Sequence, residues 1–254
     1  MKTKNLWIGF ILVMVLSFGV LGYYGREIYR EAPPIPEKVV TSNGTLLFTG
    51  QNIKDGQNIW QSMGGQEVGT VWGHGAYQAP DWTADWLHKE AVFILNQLAK
   101  QNEGKTYDKL SEEKQASLKV SLQKDIRRNT FNKETKTLTV SNVRAEAIKS
   151  NSKFYGGLFT NDPALEDLRD AYSIPLNSLK TEERVRLMNA FFFWASWACV
   201  TERPGQDITY TNNWPAEKLV GNEPTGELHL WTGFSVIILL AGIGLMSLYY
   251  ARRR

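Results

Sequence analysis

Residues Trp60 to Trp86 read WQSMGGQEVGTVWGHGAYQAPDWTADW. The stretch holds five glycines, four tryptophans and one histidine, but no cysteine. Glycine at that density marks a loop whose backbone turns sharply or approaches something closely. The tryptophans around it ask for burial. Such a segment joins a specific surface loop to a core that large aromatic rings must fill.

Working outward, the 254 residues allow one or two domains. Leu6 to Tyr24 (LWIGFILVMVLSFGVLGYY) and Leu230 to Tyr250 (LWTGFSVIILLAGIGLMSLYY) contain no charged residue. At a rise of about 1.5 Å per residue, each makes a helix roughly 30 Å long, one hydrocarbon thickness. Trp7, Tyr23, Tyr24, Trp231, Tyr249 and Tyr250 sit near the ends, where amphipathic rings prefer the interface. The first segment exceeds the usual apolar length of a signal peptide and no A-x-A-like site follows it, so it reads as a retained anchor. Lys2 and Lys4 precede the first helix and Arg252, Arg253 and Arg254 follow the second. The positive-inside rule therefore places both tips in the cytoplasm and the middle outside. Without those five cations, the remaining 24 basic residues face 26 acidic ones. The formal charge of +3 thus belongs to the anchors and makes no case for nucleic acid. Cys199, the one cysteine, has no partner for an internal disulfide, so the exported part must hold together by its core.

The predicted organisation is a cytoplasmic tip (1–5), a first spanning helix (6–24), an extracytoplasmic domain (25–229), a second spanning helix (230–250) and a basic tip (251–254). Glu31 to Lys38 (EAPPIPEK) reads as an extended spacer, because each proline fixes φ and disfavours helix in its predecessor. A strand or hairpin is predicted at Thr45 to Gly50. Asp81 caps a helix to about Asn102, with Val92, Phe93, Leu95 and Leu98 as its apolar stripe. A second helix runs from Ser111 to Arg128 and presents Leu118, Val120, Leu122 and Ile126. Lys136 to Val140 alternates like a strand, and Asn142 to Phe154 returns to helix. Thr181 caps the last large helix, with Glu182 and Glu183 in its first turn. Its continuation LMNAFFFWASWACV is apolar nearly all round and predicts burial on most sides, ending at Arg203-Pro204-Gly205.

Three histidines offer few sites. His74, Asp81, Asp85 and His88 form the one tight cluster, and Asp81, Asp85 and His88 share a helix face. No H-x-x-x-H spacing occurs, so a helix cap and an interfacial histidine are expected rather than a zinc or iron centre. There is no P-loop, dinucleotide fingerprint or G-x-S-x-G. Met63, Met188 and the phenylalanines read as core.

The stretch DGQNIWQSMGGQEVGTVWGHGAYQAPDWT resembles the start of the membrane-anchored cytochrome c subunit of bacterial nitric oxide reductase. There a G-x-x-x-W precedes C-x-x-C-H and then G-x-G-A-Y-x-A-P. Gly56 and Trp60 match the first element, and Gly73, Gly75, Ala76, Tyr77, Ala79 and Pro80 match the last. The attachment cysteines and the axial histidine fall at Gly65, Val68 and Gly69, and the axial methionine at Ile174. All four are replaced. With WGHGAYQAPDWTADWLH and FFFWASWA, the chain is similar to the haem-less front portion of the quinol-dependent nitric oxide reductases.

That resemblance implies a mainly α fold, with two transmembrane helices flanking a cytochrome c-like extracytoplasmic domain that carries an inserted helical segment. A lost haem leaves space that bulky rings must refill. Trp60, Trp72, Trp82, Trp86, Trp194, Trp197 and Phe191 to Phe193 are the candidates. The resemblance further implies an enzyme that reduces nitric oxide to nitrous oxide with quinol electrons, in denitrification or nitric oxide detoxification. Its cofactors are two b-type haems, a non-haem iron and calcium; its partner is a catalytic transmembrane bundle, fused or separate, embedded in lipid. The iron and haem ligands lie beyond this chain, which alone is expected to bind no cofactor and to be inactive. It is then a truncation, a split subunit or an excerpt. A structural partner subunit, or a two-helix sensor, is the alternative. Gly75, through its carbonyl, and Tyr77, through its side chain, are the implied calcium contacts, against the plainer reading of a tight turn and a packed ring.

Overall fold

In the computed structural model, residues 2–253 are described. Met1 and Arg254, at the ends of the two basic tips, lie outside them. The chain divides into two compact units, one ending at Pro34 and the other starting at Ile35. The first unit is essentially one helix, α1 (Lys2–Arg30), whose apolar residues are exposed throughout. Its 29 residues extend the predicted span at both ends.

The second unit begins with a hairpin, β1 (Lys38–Thr41) and β2 (Leu46–Thr49), then α2 (Gly50–Ser62). Thr49 starts α2 with a capping box, its hydroxyl taking the Asn52 N–H while the Asn52 side chain takes the Thr49 N–H. A tiny hairpin follows, β3 (Thr70–Val71) and β4 (His74–Gly75), and then α3 (Trp82–Glu103). The inserted segment is α4 (Glu112–Arg127) with strands β5 (Phe131–Asn132) and β6 (Thr137–Val140). The remaining elements are α5 (Asn142–Phe159), the short α6 (Glu166–Ala171), α7 (Glu182–Val200) and α8 (Gly226–Ala251). One four-stranded sheet, ordered β2-β1-β6-β5, pairs β1 with β6 in parallel, Val39 opposite Leu138, and the other neighbours antiparallel.

Two apolar clusters carry the packing. The larger gathers α2, the start of α3, α5 and α7 around Trp60, Trp82, Trp86, Tyr155, Phe159 and Phe192. The smaller joins the rest of α3 to the insert through Leu87, Ile94, Leu95, Leu118, Leu122 and Ile126. Met188 to Val200 are all buried, as an all-round apolar helix requires. Helix α7 ends at Val200, three residues before the Arg203-Pro204-Gly205 stop. Gly56 lets α2 cross α7 closely, since a Cβ there would collide with the Leu187 carbonyl.

The α3 stripe is shifted in phase, whereas the α4 stripe holds at Leu118, Leu122 and Ile126 and misses only at Val120. Val92 and Val120 are 36% and 48% exposed, while Phe93 and Leu98 are only half-buried. The buried face of α3 is instead Trp86, Leu87, Glu90, Ala91, Ile94, Leu95 and Ala99, because the helix is sandwiched between both clusters. Glu90 belongs there through an ion pair with Arg144 of α5 at 2.6 Å, both side chains being buried. Arg144 also lies over the Phe193 ring.

Helix α8 has no buried residue, and like α1 it is long and apolar enough to cross a membrane. The segment leading to it is tied down by Arg127, whose guanidinium donates to Glu202 Oε1 at 2.8 Å and Asn222 Oδ1 at 2.8 Å.

Candidate functional site

The glycine-rich stretch forms a projecting loop from Thr70 to Pro80. Its hairpin turn is Trp72-Gly73, with φ of +53° and +72°. A two-residue turn with both φ values positive matches the twist of the flanking strands. Glycine adopts it freely, whereas Trp72 must be held there. Its indole N–H donates to the Ala195 carbonyl at 2.9 Å, and its ring lies 5.4 Å from that of Trp194.

Asp81 organises the loop from below. Its Oδ1 accepts the Thr83 and Ala84 N–H groups at 3.0 Å each and so caps α3. Its Oδ2 accepts the Gly73 N–H at 2.7 Å and the Thr70 hydroxyl at 2.5 Å. One carboxylate therefore fastens the start of the loop and its hairpin turn to the helix start. The Ala76 N–H adds a bond to the Gln66 carbonyl at 2.7 Å, and Gln78 Nε2 one to Ser173 Oγ at 3.2 Å.

At the end of β4, opposite Thr70, Gly75 has φ +139°, and a Cβ on it would sit 3.0 Å from the Gln66 carbonyl oxygen and overlap that of Gly69. Packing within the chain is thus enough to require glycine at this position. Tyr77 stands 87% exposed, and its hydroxyl reaches the Gly73 carbonyl at 3.5 Å. The ring does not pack, which departs from the plainer expectation for this residue.

The tight polar cluster separates into independent jobs. Asp81 is the cap, Asp85 accepts from Lys89 at 2.6 Å and from the Tyr155 hydroxyl at 2.5 Å, and His88 meets Glu217 at 2.8 Å. His74 Nδ1 lies 2.7 Å from the Trp72 carbonyl. Among the described residues, no three His, Cys, Asp or Glu side chains gather as metal ligands.

Beneath the loop, the positions aligned with haem attachment face solid aromatic packing. A Cβ on Gly65 would overlap the Trp60 ring. One on Gly69 would overlap the Trp82 indole nitrogen and approach the Pro80 carbonyl oxygen to 2.8 Å. Ile174 is buried in the same cluster. The rings interlock, with Trp60 and Phe192 at 5.2 Å, Trp82 and Phe159 at 5.3 Å, and Trp86 stacked on Tyr155 at 5.3 Å. Among the described residues, the indole N–H groups of Trp60, Trp82 and Trp86 meet no acceptor, so these rings serve as volume. Every ring expected from the sequence lies in or against this cluster; Tyr155, Phe159 and Tyr172 complete it without any local signal that points to them.

Cys199 is fully buried in the second cluster, and desolvation pushes its thiol up to about 12. Burial first, then the Asp85 charge, raises the Tyr155 phenol well above its ordinary value of 10.0.

The family model for the NorB cytochrome c-like domain of nitric oxide reductase matches residues 36–216. No curated protein shows significant similarity to the chain.

Proposed function

This chain belongs to the family of NorB cytochrome c-like domains of nitric oxide reductase, and on that premise we propose that it is the haem-free, membrane-anchored front portion of a quinol-dependent enzyme. Its work is to dock on the catalytic transmembrane bundle, fused or separate, from the extracytoplasmic side. It carries no reacting group itself.

The observation that bears this reading is the packing at Gly65 and Gly69. The residues present do not fit a c-type haem. Thioether attachment needs two thiols and the iron needs axial donors, but these positions are Gly65, Val68, Gly69 and Ile174. The volume beside them is occupied by Trp60 and Trp82. Such a domain has no route for electrons from a soluble donor, and quinol within the membrane supplies them to the bundle instead.

The loop then has a docking role. Calcium takes six to eight hard oxygen ligands, and the Gly75 carbonyl with the Tyr77 hydroxyl would supply two from this chain. The catalytic bundle would supply the rest, including the charge. The exposure of Tyr77 supports this reading.

Three measurements test it. The purified chain should show no haem band after denaturation and no nitric oxide consumption; either would refute the haem-free docking role. Protease added to intact spheroplasts should remove the middle, and a protected middle would refute the topology. In the complex with the catalytic bundle, Tyr77→Phe should lower retained calcium; unchanged calcium content and activity would end the calcium role.

A further inference from the structure

A surface groove of about 760 Å³ lies between the end of α4, β5 and the turn after α7. Five cations, Lys124, Arg127, Arg128, Lys133 and Arg203, line it against a single carboxylate, Glu202. This is a strong local excess in a domain whose acidic residues otherwise slightly outnumber the basic ones.

The cations divide into two sets. Arg127 is fixed by Glu202 and Asn222, and Arg203 by the Tyr210 carbonyl at 3.1 Å and Asn212 Oδ1 at 2.8 Å. They hold the groove's shape. Lys124, Arg128 and Lys133 are exposed and enter no ion pair among the described residues. They are available to a ligand. Apolar surface lies beside them in Val120, 48% exposed, and the half-buried Phe131. Free cations next to exposed apolar wall suit an amphiphilic anion rather than a bare one.

The position of the groove says which amphiphile. Arg127 is bonded directly to Asn222, and α8 begins four residues later at Gly226. Four residues of extended chain span at most about 14 Å. The groove is therefore tethered close to where the chain enters the membrane, within reach of phospholipid head groups. Clustered Lys and Arg beside a spanning helix attract anionic lipid, and the attraction fades over a Debye length of about 8 Å at physiological salt. Glu223 on the connecting segment and Glu227 in the first turn of α8 oppose it, which confines the attraction to the groove.

We propose that this groove seats the phosphate head group of an anionic phospholipid, held by Lys124, Arg128 and Lys133, with the Val120 and Phe131 surface against the glycerol and first methylenes. The domain is thereby seated against its membrane at a point separate from its helical anchors. The proposal needs only membrane anchoring and is independent of the calcium reading.

The test uses the full chain reconstituted in phosphatidylcholine bilayers with a trace of spin-labelled lipid, reading the motionally restricted fraction. Spin-labelled phosphatidylglycerol should be restricted roughly threefold more than spin-labelled phosphatidylcholine, as expected for a few cations near the surface. The variant Lys124→Glu/Arg128→Glu/Lys133→Glu keeps every basic residue of the helix tips and should lose most of that preference. The neutral variant Lys124→Gln/Arg128→Gln/Lys133→Gln should fall between, and unchanged thermal unfolding in both would show that the fold survives. Equal restriction of the two lipids, or an undiminished preference in both variants, would overturn the proposal. Loss of the wild-type preference on adding inorganic phosphate at constant ionic strength would also overturn it, assigning the groove to a free anion.

Discussion

Asp81→Asn separates the two jobs of one side chain. Asparagine retains a carbonyl oxygen at the Oδ1 position, where the Thr83 and Ala84 N–H groups donate, and it caps helices about as well as aspartate. At Oδ2 it places an NH₂ group against the Gly73 N–H, which now donates at 2.7 Å. Two donors then face each other. The Thr70 hydroxyl can rotate and accept instead, so its bond survives in reversed sense. The net loss is one hydrogen bond to a charged acceptor, about 2 kcal/mol. For a domain of this size that corresponds to roughly 4 to 8 °C in the thermal midpoint. Asp81→Ala should cost about 1 kcal/mol more, since the cap goes as well.

Circular dichroism of the chain in detergent gives the midpoints, and hydrogen exchange gives the location. Asp81→Asn should speed exchange at Gly73 and Ala76 and leave Thr83 and Ala84 protected. A substituted side chain that flipped its amide would do the reverse, exposing the helix start and sparing the loop. Unchanged exchange at Gly73 and Ala76 with Thr83 and Ala84 still protected, or stability within about 0.5 kcal/mol of the parent, would refute the assignment of Asp81 as the residue that holds the loop.

Installing the attachment motif as Gly65→Cys/Val68→Cys/Gly69→His, with a cytochrome c maturation system present, should yield no covalent haem, because the new side chains meet Trp60 and Trp82. A haem band surviving denaturation would show that the space opens. Arg144→Met should destabilise the chain by about 3 to 5 kcal/mol by leaving Glu90 buried and unpaired, whereas Arg144→Met/Glu90→Met should cost less; urea unfolding of both variants decides this. Above neutral pH two buried groups set the stability limit. Cys199, raised from 9.0 to about 12, favours the fold below pH 9 and loses that contribution as pH rises from there toward 12. Tyr155 does the same from pH 10 upward, so Tyr155→Phe should flatten the alkaline fall in the unfolding midpoint above pH 10. The Cys199 thiol should also resist alkylation in the folded chain at neutral pH.

What the sequence revealed followed from local chemistry. Asp81 and Thr181 cap helices as their residue types and spacing demand, and the run from Met188 to Val200 is buried because it has no polar face to expose. What it concealed depended on tertiary contact. Helix α2 carries Gly50, Gly56, Asn52 and Asn58 among its 13 residues, a composition that argues weakly for helix and is overridden by packing against α7. Periodicity alone turns Val92 inward, but α3 is covered on two sides and its phase is set by Trp86, Glu90 and Ile94. The parallel pairing of β1 with β6 joins strands about a hundred residues apart, beyond any local signal. At the site, Gly75 and Tyr77 are legible through a resemblance, and Asp81 only as a cap. That Trp72 takes a left-handed conformation is not legible, because the Ala195 carbonyl that holds it is 123 residues away.

Core filling and loop presentation meet at consecutive residues. Asp81 holds the loop through Gly73 and Thr70, and Trp82, next in the chain, fills the space beside Gly69. Trp82 contacts Trp60, Phe159, Tyr172 and Phe192, so the start of α3 is braced from α2, α5, α7 and the turn after α6. A protein interior transmits displacement because it is close-packed. An unfilled cavity under Gly69 would let the first turn of α3 move, and Asp81, Thr70 and Gly73 with it. The tryptophans thus do more than fill volume. By packing the space beside Gly69 they fix the carboxylate that holds Thr70 and Gly73, and with them the Gly75 to Tyr77 segment; the docking role proposed for that segment requires it to be held in one place.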